Sequence, residues 1–320
     1  MVLELIPGRD YPNTYREFTQ MFPDDTACVA FLERLRWPGG FLCPICQSAS
    51  IPWKASWKEN CYRLLCPICH HKTSMTAGTI FDKTRTPLRT WFEAAWHVST
   101  AKNGMSAKTL ERTIGINYKV AWMMLHRFRV AMVNIERSKL SGVVEIDESF
   151  VGGEEQGSKR GRGTNKSIVV IAVEIKQPKG FGRVRMRHIP DCSGESLLPF
   201  ACDVIVPGSV VRTDGWTGYN RLPDHGFIRD IIVQSSSSDP AHVSMPGVHR
   251  IASLLKRWIL GTHQGSVLPP HLQSYLEEFT FRFNRRKSRS RGLVFRRLLE
   301  QAVITEPTTM ADIIHGYDWS

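Results

Sequence analysis

The chain has 320 residues, enough for two or three domains with a sizeable core. Lys and Arg number 42 against 30 Asp and Glu, a formal net charge of +12. That surplus points to a polyanionic partner, nucleic acid before membrane, and no apolar run has the length needed to span a bilayer.

The first ten residues lack the charged start and long apolar stretch of a secretion signal, so a cytoplasmic location is expected. Disulfides are disfavoured there, and the eight cysteines need another role. Residues 1–40 read as an N-terminal helical segment, with a pattern from Ala27 to Arg36 ended by Trp37-Pro38-Gly39-Gly40.

Residues 41–80 read as a zinc ribbon. Cys43-Pro44-Ile45-Cys46 and Cys66-Pro67-Ile68-Cys69 are two CxxC units separated by 19 residues. Each unit is a tight knuckle that aims two sulfurs at one ion, and four thiolates suit tetrahedral Zn²⁺. A closed four-sulfur shell leaves no place for water, so this zinc is structural. Buried reduced cysteines or a redox pair are the competing reading, and the duplicated spacing favours zinc. Cys61 is a weaker candidate ligand. Cys28, Cys192 and Cys202 read as ordinary core residues.

Residues 85–135 read as helical. Ser106 caps a short helix, Gly115 supplies a turn, and Asn117 caps a longer helix through Arg129. This pattern matches a DNA-reading helix-turn-helix, with an ordinary helical hairpin as the alternative. Lys119, Arg127 and Arg129 favour DNA.

From Ser141 the texture turns to β-branched runs. Strands are predicted at 143–151, 167–175, 183–189, 209–214 and 229–233, with helices at 194–204 and 249–260. The Gly/Lys/Arg stretch 152–166 and the Ser-rich stretch 234–248 read as mobile loops. Three strands in succession, then alternating helix and strand, fit an RNase H-like α/β fold with a mixed sheet over 141–300, followed by a C-terminal tail at 301–320. Asp147 lies within the first strand and Asp214 ends the fourth. Acidic residues are costly at such places unless they bind metal or do chemistry, and a pair of them suggests a two-metal phosphoryl-transfer site. Asp214 could also serve a Thr-Asp-Gly turn, and Asp147 a cap. In the late helix, Ile251, Leu254, Leu255, Trp258 and Ile259 form one apolar face. His249, Ser253 and Lys256 fall together, roughly opposite it. His249 is either a third ligand or a plain helix-start residue. Phe281 to Arg291 interleaves aromatics with basic residues, including Arg285 and Arg286, and reads as a surface for the DNA backbone or a solvated helix end. Glu277 and Glu278 just before it are expected to face solvent or pair with these arginines.

Several of these motifs occur together in one family. The chain resembles insertion-sequence transposases of the zinc-ribbon, ISXO-type DDE group. The resemblance rests on the CPxC pair, Thr76-Ala77-Gly78-Thr79-Ile80-Phe81, Lys119-Val120-Ala121-Trp122, Glu145-Ile146-Asp147-Glu148, Val151-Gly152-Gly153, Thr213-Asp214-Gly215-Trp216, Leu255-Lys256-Arg257-Trp258 and the stretch from Glu278 to Arg286. It implies an RNase H-like catalytic core, Mg²⁺-dependent DNA cleavage and strand transfer, and binding to terminal inverted repeats and target DNA as a homo-oligomer. It carries Asp147 and Asp214 over as the metal-binding pair, and Lys256 as the basic residue after the third catalytic position. Seven residues before that lysine, the family has Glu or Asn and this chain has His249. Imidazole suits softer ions, which brings Mn²⁺ in beside Mg²⁺. Glu277 and Glu278 are the fallback third ligands. A regulator that binds DNA without cutting it, and a nuclease without strand transfer, are the competing functions.

Overall fold

The computed structural model describes residues 4–58, 61–133, 137–152, 166–176, 178–232, 245–265 and 267–316. Of the stretches expected to be mobile, 153–165 and 234–244 lie outside the described residues, while Pro246 to Val248 already belong to a helix. The chain forms two compact units. One runs to Asn134 and takes in Lys287–His315; the other centres on Ile135–Arg286. The sequence reading carried the catalytic segment on to residue 300, whereas the units divide after Arg286.

The first unit begins with α1 (Tyr15–Met21) and α2 (Asp25–Arg36), whose first turns are capped by Thr14 and Asp24 side chains. A three-stranded antiparallel sheet follows: β1 (Trp53–Lys58), β2 (Cys61–Leu65) and β3 (Lys72–Thr73), in that order. Then come α3 (Leu88–Thr100), α4 (Ala107–Ile114) and α5 (Tyr118–Ala131). Ser106 and Asn117 accept the capping N–H groups of α4 and α5. Gly115 ends α4 at φ +68, a conformation that a side chain would strain.

The core of this unit is aromatic. Phe18, Phe22, Phe31 and Phe92 are buried with Phe295, which arrives from the far end of the chain. Phe295 lies on α9 (Arg291–Ala302), a helix that packs along α3; a short α10 (Met310–His315) follows α9. Gly292 permits this packing, since a Cβ there would sit 1.5 Å from the Pro12 carbonyl oxygen.

The second unit is a five-stranded mixed sheet. Its strands are β4 (Val143–Val151), β5 (Ser167–Ile175), β6 (Phe181–Ile189), β7 (Val210–Thr213) and β8 (Ile228–Ile231). The spatial order is β6-β5-β4-β7-β8. β4, β5 and β6 form an antiparallel meander, and β7 and β8 run parallel to β4. The parallel half is reached through α6 (Gly194–Val204), as parallel pairing demands a crossover.

Both faces are covered, so the central strands read as continuous apolar runs. Val144 and Ile146 of β4 pack with Leu197, Phe200 and Ala201 of α6 on one face. Val169, Ile171 and Val173 of β5 pack on the other face with Val248, Ile251, Leu255 and Ile259 of α7 (Pro246–His263). That face also receives α8 (Pro269–Asn284), which lies against the edge strand β6.

Candidate active site

Alternation along β4 places Val144 and Ile146 toward α6, and hence Glu145 and Asp147 toward α7. β4 and β7 are parallel neighbours in a register that pairs Val143 with Val210, Val144 with Val211 and Glu145 with Arg212. Continued by two residues, that register sets Asp214, just past the end of β7, beside Asp147. Neighbouring strands lie about 4.8 Å apart, so the two carboxylates start from adjacent backbone positions. Local bonds orient both groups. The Glu148 N–H donates to Asp147 Oδ1 at 2.8 Å, and the Trp216 N–H donates to Asp214 Oδ1 at 2.9 Å. The Thr-Asp-Gly turn therefore exists and is part of the site.

The helix α7 brings the remaining groups. A cavity of about 460 Å³ is lined by Asp147, Glu148, Ser149, His249, Ser253 and Lys256 among others. His249, in the first turn, and Lys256, two turns on, thus share one surface while Ile251, Leu255 and Ile259 are buried beneath. Partial burial, and then the charge of Lys166, lower the Lys256 pKa. Lys256 thus sets a positive charge on the cavity that Asp147 lines, an arrangement suited to a phosphodiester.

Two further parts of the site depend on contacts that are remote in sequence. The buried Tyr219 hydroxyl donates to Glu148 Oε1 at 2.5 Å. Burial, then the Glu148, Asp147 and Asp214 charges, raise its pKa well above the ordinary value, so the phenol stays protonated. Glu145 is wholly buried, and its Oε2 accepts the Gly247 and Val248 N–H groups at 2.7 and 3.1 Å. Its pKa is raised by burial against the pull of those two bonds and of Arg212, whose Nη1 lies 3.9 Å from Oε1. The sequence signal for Glu145 was its alternation with Asp147 on one strand face. Its partners lie 102 and 103 residues away, beyond the reach of any local pattern.

The donor types in the row fit a hard divalent cation: two carboxylates, with an imidazole lining the same cavity. Among the described residues, only the four cysteines bring three or more His, Cys, Asp or Glu ligand atoms within 4.8 Å of one another. Asp147 and His249 therefore line one cavity, with Asp214 on the neighbouring strand end, rather than forming a closed ligand cage. Glu277 and Glu278 are elsewhere. They lie on α8, against the edge strand β6, and both are buried. Arg137 Nη1 and Gln273 Nε2 donate to Glu277, and Arg282 Nε donates to Glu278, each at 2.9 Å. Of the two expectations, solvent exposure fails for both, pairing with the arginines of 281–291 holds for Glu278 through Arg282, and Glu277 pairs instead with Arg137. Burial in low dielectric demands those cationic partners.

The cysteine set fits zinc well. Gln47 and His70 adopt positive φ one residue beyond each CxxC. Their N–H groups donate to the Cys43 and Cys66 carbonyls, making two equivalent knuckles. Cys43 Sγ lies 3.5 Å from Cys69 Sγ, and Cys46 Sγ 3.7 Å from Cys66 Sγ. The edge of a tetrahedron built on Zn–S bonds of about 2.3 Å is about 3.8 Å. The Cys69 N–H, then Ser48, hold the Cys66 thiol down at about 5, while, against the His71 N–H, burial and the three other sulfurs push Cys69 up to about 12. Cys28 and Cys192 are buried, Cys202 is half-buried, and the Cys61 side chain lies outside the described residues.

The basic residues expected on DNA divide in two. Lys119 is exposed at the start of α5. Arg129 is buried, and Arg127 Nη1 donates to the Ile80 and Asp82 carbonyls at 2.7 and 3.3 Å. Arg286 donates to the Phe181, Gly182 and Phe283 carbonyls and stacks on Phe283. Arg285 lies 3.9 Å over the Phe281 ring. Arg127 and Arg286 are thus drawn into their own units by backbone carbonyls that need donors, and Arg129 is buried in its unit. No described helix is long and apolar enough to cross a membrane.

Residues 139–284 match the family model of the ISXO2-like transposase domain. An uncharacterized protein in transposable element ISH50 of Halobacterium salinarum is 28% identical over 277 residues, covering 82% of this chain and 91% of that protein. The catalytic core domain of BIV integrase is 19% identical, covering 47% of this chain and 86% of that one with a TM-score of 0.31. The similarity to the ISXO2-like transposase domain thus lies in residues 139–284, which contain the second unit's sheet and the helices packed on it.

Proposed function

We propose that the protein is a DNA transposase of the DDE type, which binds terminal inverted repeats and carries out metal-dependent strand cleavage and strand transfer. The observation that carries this is the placement of Asp147 and Asp214 on one row of adjacent parallel strands, with His249 and Lys256 on the cavity that Asp147 lines. The strand order, an antiparallel meander continued by two parallel strands, supports an RNase H-like core. Asp147 and Asp214 would hold Mg²⁺ or Mn²⁺, with His249 as the third ligand. When bound, the ions supply acidification of the attacking water or 3′-hydroxyl and neutralise charge on the leaving oxygen.

The protein's own groups then position the strand. Lys256 and Lys166 attract the phosphates flanking the scissile one. A water oxygen bonds to phosphorus as the P–O3′ bond breaks, leaving a 3′-hydroxyl on the element. In strand transfer that hydroxyl attacks a phosphate of the target. α4 and α5 act as a helix-turn-helix with Lys119 toward DNA, and the cysteine knuckles form a ribbon held by structural Zn²⁺. Joining two ends calls for two active sites, hence a homo-oligomer on DNA, working in the cytoplasm at the nucleoid.

The test uses duplexes carrying the element's own ends. Asp147→Ala and Asp214→Ala should each abolish cleavage and leave affinity for the ends largely intact. Near wild-type cleavage by either variant in Mg²⁺ would overturn the assignment. A second reading, a DNA-binding regulator that does not cut, is favoured by His249 in place of the Glu or Asn of the family. It predicts tight end binding with no cleavage by the wild type in Mg²⁺ or Mn²⁺.

A further inference from the structure

The helix that carries His249 and Lys256 lacks a local cap. Met245, at its N-cap, makes no side-chain hydrogen bond, and Pro246 follows with no N–H to offer. The orphan donors of the first turn are Gly247 and Val248, and both end on Glu145 Oε2, from the middle strand of the sheet. Glu145 is wholly buried, which makes it an anionic cap with no competing water. The fit is close: a Cβ on Gly247 would lie 2.6 Å from that oxygen and 2.8 Å from Ile175 Cδ1. Arg212, paired with Glu145 across β4 and β7, approaches the other carboxylate oxygen. One side chain therefore joins β4, β7 and α7, the three elements that carry the site. His249 follows Val248 directly in the chain, and Asp147 is two residues from Glu145 on the same strand face.

We propose that Glu145 is a positioning residue, which clamps the first turn of α7 to the sheet and so sets His249 and Lys256 against the Asp147–Asp214 row. The proposal rests on the transposase reading of that row. Glu145 touches neither substrate nor cation; it acts through the helix.

The test uses the full-length protein and three variants, Glu145→Gln, Glu145→Leu and Gly247→Ala. Hydrogen exchange in peptides covering 245–255, affinity for end DNA, and cleavage in Mn²⁺ are measured for each, with Asp147→Ala as a control. Loss of two charge-assisted bonds in Glu145→Leu should speed exchange at the first turn of α7 and slow cleavage by about 30-fold, with DNA affinity within about two-fold. The amide oxygen of Glu145→Gln can still accept both N–H groups, so its exchange and cleavage should stay within about three-fold of wild type. Gly247→Ala should reproduce the Glu145→Leu pattern with Glu145 still present, and it decides the matter if Glu145→Leu does not fold. Unchanged cleavage in Gly247→Ala, or Glu145→Gln falling as far as Glu145→Leu, overturns the clamp. Cleavage by Asp147→Ala would instead overturn the reading of the row, while the exchange data would still report on the clamp.

Discussion

Tyr219→Phe deletes one oxygen at the centre of the site and little else. The ring is 1% exposed and sits among Leu197, Ala201 and Leu222, so its apolar packing survives the change. The lost group is the donor to Glu148 Oε1 at 2.5 Å. A hydrogen bond to a charged acceptor is worth about 1.5–3 kcal/mol. Glu148 is half-buried and lines the cavity, so water can reach its carboxylate, which places the cost near the lower end, about 1.5–2 kcal/mol. For a unit of this size that is a fall in Tm of about 3–8 °C. Differential scanning calorimetry of the metal-free protein measures it, and cleavage should also fall, because Glu148 neighbours Asp147.

The pH dependence has a definite sign. Burial first, then the three carboxylates, raise the Tyr219 pKa above its unfolded value. The native state therefore keeps its proton longer than the unfolded state, and the stabilisation is fully present below about pH 10. It is lost as pH rises toward the native value. The difference between wild type and variant should be flat from about pH 6 to 9 and shrink above about 10. A difference under about 0.5 kcal/mol at neutral pH, or one that grows with pH, would refute the reasoning.

Four further outcomes are expected. Elemental analysis should find one Zn²⁺ per chain, and Cys66→Ser should lose it and unfold the ribbon, seen as faster proteolysis around residues 41–76. His249→Ala should slow cleavage by at least about 100-fold, close to 3 kcal/mol, with wild type favouring Mn²⁺ and His249→Glu shifting preference toward Mg²⁺; normal cleavage would remove His249 from the site. Lys119→Ala should weaken DNA binding across sequences and lower the salt slope by about 1, and an unchanged slope would take α5 off the DNA backbone. Arg286→Ala should lower Tm while leaving that slope alone, because its donors serve the Phe181 and Gly182 carbonyls.

What was legible in the sequence was local. The strands 143–151 and 167–175, the helix 194–204 and the caps at Ser106 and Asn117 come from patterns within a dozen residues, where alternation, turn residues and side-chain oxygens act directly. The shared surface of His249 and Lys256 is likewise helical arithmetic, and the sulfur positions of Cys43, Cys46, Cys66 and Cys69 follow from two short turns. Tertiary structure decided the partners. β4 lies between β5 and β7, and that register alone sets Asp147 beside Asp214. Arg127 and Arg286 look like phosphate ligands in the sequence, yet carbonyls 45 to 105 residues away take their donors. For Glu277 and Glu278 the sequence left solvent or the following arginines open; the packing of α8 on β6 buries both, Glu278 against Arg282 and Glu277 against the remote Arg137 and against Gln273. α9 joins the aromatic core of the first unit through Phe295, far from its neighbours in the chain. In each case a buried polar or apolar group must find a partner somewhere. Composition states that need, and only the folded chain settles which residue meets it.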